Sequence, residues 1–116
     1  MSIFFLGSEM NQEARDIAGR LKKEFNAVFV RTENANDLLK IKDNAVIINV
    51  LPWVEEPIFV RLDDMRKHEP HYPDHIEIGS FLGRLEKIGR LKNAKIIGIP
   101  QQVDDSVMLT LGRMIK

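Results

Sequence analysis

All three histidines of this chain fall close together, in the pattern His68-x2-His71-x3-His75. Imidazole nitrogens at short spacing suit zinc or nickel. The same stretch carries Pro70 and Pro73, so the spacing fixes no shared helical face, and a solvated loop with incidental histidines accounts for it as well. His75 stands apart from the other two. It opens a stretch of helical periodicity, and the positive end of a helix dipole disfavours the imidazolium form. A neutral imidazole is the form that ligates metal, whereas the plainer reading is a surface histidine beside a helix cap. Asn49 is the second conspicuous residue, polar at the end of the apolar run Val46-Ile47-Ile48-Asn49-Val50. An amide buried there without a partner costs about 1–3 kcal/mol, so it needs either a neighbouring loop or a ligand. Glu9, Asn11 and Glu13 lie between the first apolar run and the first helical stretch, where acidic and amide side chains act as caps or as site residues.

Other chemistries are poorly supplied. Gly7 stands alone, with neither G-x-G-x-x-G nor a Walker lysine pattern, so a phosphate cradle is not indicated. A phospho-acceptor receiver domain would place an aspartate where this chain has Asn49. The chain has no cysteine, which excludes disulfides, thiolate zinc sites and a cysteine nucleophile. No serine–histidine–acid triad assembles from the residues available. Trp53, the sole tryptophan, follows Pro52 in a loop and reads as a contact anchor or as cover for a sheet edge.

The elements that must position these residues follow from periodicity. Ile3–Leu6 reads as a buried strand ended by Gly7-Ser8, and Ala14, Ile17, Ala18, Leu21 and Phe25 recur at helical spacing over residues 11–25. Asn26 closes that helix, and residues 27–30 form a second strand. Leu38, Leu39 and Ile41 suggest a short helix, and residues 45–50 form the clearest strand. Residues 58–62 make a further strand. Only seven residues, Leu51 to Pro57, separate it from Val50. A parallel crossover needs a dozen or more, so this strand should run antiparallel to the third. Residues 63–74 read as a long polar loop. From His75 the helical period returns through Ile78, Phe81, Leu82, Leu85 and Ile88, with Asp74 and Glu77 as a capping pair. Residues 94–99 form a last strand. Val103, Val107, Met108, Leu111 and Ile115 mark a closing helix with Asp104 and Asp105 in its first turn. The order predicts an α/β fold: a three-layer sandwich, its sheet mostly parallel with one antiparallel strand, helices on both faces. In such sheets working residues gather at the carboxyl ends of the strands.

At 116 residues the chain should be a single domain, residues 1–116. Its 17 basic and 17 acidic side chains cancel, giving no electrostatic footprint for a nucleic-acid backbone or an anionic membrane. The first apolar run lacks a basic flank and is short for a signal peptide. No stretch approaches the roughly 20 apolar residues that span a bilayer. These features predict a cytoplasmic protein with no nucleic-acid or membrane partner; they say nothing of oligomeric state.

Several stretches, in order, resemble the hydrogenase maturation endopeptidases, which trim the C-terminal tail of nickel-iron hydrogenase large subunits. They begin with Phe5-Leu6-Gly7-Ser8 and Ile17-Ala18-Gly19-Arg20-Leu21. They continue through residues 45–50 and Pro57-Ile58-Phe59-Val60-Arg61-Leu62-Asp63. They are strongest in Pro73-Asp74-His75 with Ile78-Gly79-Ser80-Phe81-Leu82, followed by Ile88-Gly89-Arg90-Leu91 and residues 94–100. The resemblance implies a metal held by an acid after the first strand, an aspartate ending the third, and a histidine opening a later helix. His75 matches the histidine. Asn49 stands where the aspartate belongs, and the family's G-N-x-L-x-x-D-[DE]-G-x-G pattern is shortened and largely missing. Counting back from Leu21 puts Asn11 near the acid's position, with Glu9 and Glu13 as acidic neighbours.

The resemblance thus implies a metal-dependent endopeptidase that processes the C-terminus of a hydrogenase large subunit. Its metal set would be His75, Asn49 and one of Glu9, Asn11 or Glu13. The metal is nickel, already in the substrate, or another divalent ion, with zinc or cadmium as surrogates. Because an amide is a neutral and weaker ligand than a carboxylate, no tightly bound metal is expected. The competing expectation is a non-proteolytic accessory protein of the same fold that binds a metal centre or a partner.

Overall fold

The computed structural model describes residues 3–7, 12–31, 41, 45–68, 76–89 and 93–115. The elements in chain order are β1 (Ile3–Gly7), α1 (Gln12–Phe25), β2 (Val28–Arg31), β3 (Val46–Val50) and β4 (Ile58–Phe59). They continue with α2 (Leu62–His68), α3 (Ile76–Lys87), β5 (Lys95–Ile99) and α4 (Asp105–Ile115). The strands form one mixed sheet in the order β2-β1-β3-β5-β4. β2, β1, β3 and β5 are parallel, and β4 alone is antiparallel, pairing with β5 through Ile58 opposite Gly98 and Phe59 opposite Ile97. The short link after β3 therefore reverses the chain, as its length requires, but carries it past β5 to the sheet edge.

Alternation along the strands sends successive side chains into two separate clusters. Phe4, Val30, Ile47, Leu51, Val60 and Ile96 share one with Leu62 of α2 and with Leu82 and Leu85 of α3. Phe5, Val46, Ile48, Ile97 and Ile99 share the other with Ile17 and Leu21 of α1 and with Met108, Leu111 and Ile115 of α4. Trp53 is partly buried against the first cluster, so it covers apolar sheet surface. The burial of α1 and α4 follows the stripes read from the sequence.

Helix ends are set by local chemistry. Asn26, at φ 56°, closes α1 with its N–H donating to the Lys22 carbonyl at 3.0 Å. Gly89, at φ 76°, does the same for α3, a left-handed position that favours glycine. Asp104 lies just outside α4. Its Oδ1 accepts the Val107 N–H at 2.9 Å, making it the cap and leaving Asp105 in the first turn.

Beyond shifts of a residue at strand ends, the structure departs from the sequence reading in three places. The 58–62 strand is short, ending at Phe59, although the Val60 N–H still donates to the Ile96 carbonyl at 2.8 Å. Leu62 is the first residue of α2, a helix in place of the expected loop. This buried anchor continues the apolar run of the preceding strand, and the residues after it are then polar enough to resemble a loop. Ile88 is 69% exposed, since it lies beyond the last turn of α3 and has left the buried stripe. The suggested short helix around Leu38 and Leu39 lies outside the described residues. Ile41 is buried in the first cluster without belonging to a helix or strand.

Candidate functional site

The strand order puts a change of direction between β1 and β3. From β1 the chain moves to one side to form β2, then returns to the other side of β1 to form β3. In open parallel sheets ligands bind outside the carboxyl ends of the strands at such a switch point. The carboxyl ends here are Gly7 on β1 and Val50 on β3, with Ile99 and Pro100 at the end of neighbouring β5.

Asn49 lies at that edge. Hydrogen bonding through the ladder holds its backbone opposite Gly98 of β5, and the run Val46–Ile48 beneath it is fully apolar and buried. By alternation its side chain belongs to the face of Ile47 and Leu51. Asn49 is 2% exposed, and it is the one buried polar side chain among the described residues. Its Nδ2 has no hydrogen-bond partner. That is an uncommon state for a buried amide, because the desolvation is not offset.

On the β5 side the residue paired with Asn49 is a glycine. Gly98 has no side chain to offer. A Cβ there would collide with Leu51 Cδ1 and stand 3.0 Å from Val60 Cγ2. Leu51 and Val60 thus occupy the space over Gly98 with methyl groups, which neither donate nor accept. Leu51 is locked in turn, since its N–H donates to the Ile99 carbonyl at 2.8 Å.

Of the candidate metal ligands read from the sequence, Asn49 is the one whose side chain is described. Glu13 is the second residue of α1, and His68 is the last residue of α2. Glu9, Asn11, His71 and His75 lie outside the described residues. Among the described residues no group of three or more His, Asp or Glu side chains is arranged to hold a metal ion. No helix among them is long and apolar enough to cross a membrane. Sequence reasoning missed the switch point, because strand order is a property of three-dimensional pairing that no local pattern encodes. Comparison with family models, with curated proteins and with solved structures finds no match to this chain.

Proposed function

We propose that this chain is a maturation peptidase-like protein acting on the C-terminal region of a nickel-iron hydrogenase large subunit. The observation that carries the reading is the unpaired Asn49 amide, buried at the carboxyl end of β3 beside the β1/β3 switch point. The resemblance calls for a site residue at that position. The three-layer arrangement with helices on both faces is part of the same proposal. It is supported by the two apolar clusters, one involving α2 and α3, the other α1 and α4.

Asn49 contributes a neutral amide, a weaker ligand for a divalent cation than a carboxylate. Nickel accordingly belongs to the substrate in this proposal, with His75 and one of Glu9, Asn11 or Glu13 meeting it beside Asn49. The same neutrality favours a second reading, a cytoplasmic accessory protein that binds the large subunit without cutting it.

The experiment incubates the chain with a nickel-loaded precursor of the large subunit and follows the precursor's C-terminus by mass spectrometry. Truncation that disappears in the His75→Ala variant supports the peptidase. A stable complex without truncation supports the accessory protein, and the absence of both truncation and complex removes both readings. In parallel, nickel titration of Asn49→Asp should show tighter binding than the wild type. Unchanged affinity in both Asn49→Asp and His75→Ala would rule out a role for these two residues in holding the metal.

A further inference from the structure

We infer that Asn49 donates a hydrogen bond to an oxygen of a bound ligand, the carbonyl of a peptide group or a carboxylate, at the carboxyl edge between β1 and β3. Two independent observations meet at this residue. The first is the unpaired Nδ2 on a side chain only 2% exposed. The second is the topology, which puts β3 at the switch point where parallel sheets receive ligands. The chemistry of the free group then selects the ligand. An N–H is a donor and requires an acceptor, and an oxygen with available lone pairs is the strongest common one. Gly98 carries no side chain, and the space over it is filled by methyl groups of Leu51 and Val60, so a bound ligand is the source of the acceptor in this assignment. A carboxylate would form the shorter, charge-assisted bond, whereas a peptide carbonyl would form the ordinary one.

This assignment deepens the proposed function by naming what Asn49 recognises, and it depends on that function only for the identity of the peptide. It also gives the amide a role that an ionised aspartate at this position could not fill, since a carboxylate accepts and does not donate. Because Asn49 is only 2% exposed, association should be slower than a simple diffusional encounter.

The test uses the full chain labelled with 15N and follows the side-chain amide resonance of Asn49. It is titrated separately with N-methylacetamide, with acetate, and with a synthetic peptide matching the C-terminal tail of the hydrogenase substrate. The expected result is a downfield proton shift with at least one probe, absent from Asn49→Leu while the backbone spectrum keeps its dispersion. A shift with N-methylacetamide alone identifies the carbonyl, and one with acetate alone identifies the carboxylate. A response to either small probe without one to the peptide supports this inference and counts against the hydrogenase substrate. Thermal melts of Asn49→Leu and Asn49→Val supply a second readout. Removing an unsatisfied amide should raise the midpoint of at least one variant by about 4 °C or more. No shift with any probe, or a lower midpoint in both variants, overturns the assignment.

Discussion

At position 98 the absence of a side chain is a packing requirement. Leu51, fully buried, and Val60 fill the volume that a methyl group would enter, and Leu51 is tied to β5 through its own backbone. Gly98→Ala should therefore destabilise the fold by about 1–3 kcal/mol through overpacking, measured by urea denaturation at constant m-value. A loss below about 0.5 kcal/mol would mean that Leu51 relaxes at little cost. The residue scale is also where the sequence is most informative about the site. A single amide closing an apolar run is visible without a structure, and so is the expectation that it needs a partner. Its lack of one is not visible, because what faces it depends on pairing across the sheet, where its partner is a glycine 49 positions away in the sequence. The histidines show the opposite limit: their spacing is legible, but spacing alone does not bring imidazoles together.

Elements with a full apolar stripe and a marked end are legible almost to the residue. α1 covers the expected stretch over its described residues, Gln12–Phe25, and stops before the left-handed Asn26. β3 and β5 each lose one residue at the start. Short elements are not legible in this way. α2 has seven residues, too few for a period to establish itself, and it follows a two-residue strand that supplies no alternation. Propensity is weak at such lengths, and Leu62 docks because the cluster above the sheet accepts it. α4 is delimited more firmly through Asp104, whose carboxylate takes up an otherwise orphaned N–H. Asp104→Ala should cost about 0.5–2 kcal/mol by chemical denaturation, whereas Asp104→Asn should keep most of that stability. Equal losses in the two variants would show that the cap geometry is not what matters.

In the whole molecule, two clusters on one sheet divide the stabilising surface between helices that are distant in sequence. α1 and α4 share a cluster, and Arg20 ties them together at the rim. Its guanidinium donates to the Val103 carbonyl and pairs with Asp105 at 3.2 Å. That ion pair is largely exposed and contributes little beside the apolar contacts. Leu111 carries the larger share. It is fully buried among Ile17, Leu21 and the sheet, so Leu111→Ala should lower stability by about 2–5 kcal/mol, read as a shift in denaturation midpoint. A change within about 0.5 kcal/mol would contradict the described packing. The sheet has one edge at β4, where Phe59 is 56% exposed, and the strand is only two residues long. Brevity of that kind limits edge-to-edge pairing with other chains.

The Arg20–Asp105 contact joins residues 85 positions apart. During synthesis α1 therefore leaves the ribosome long before α4 exists to cover it. At about 5–20 residues per second, its apolar stripe waits roughly 4–17 s for that partner. Over that interval the nascent chain offers Ile17 and Leu21 to chaperones, to proteases and to neighbouring polysomes.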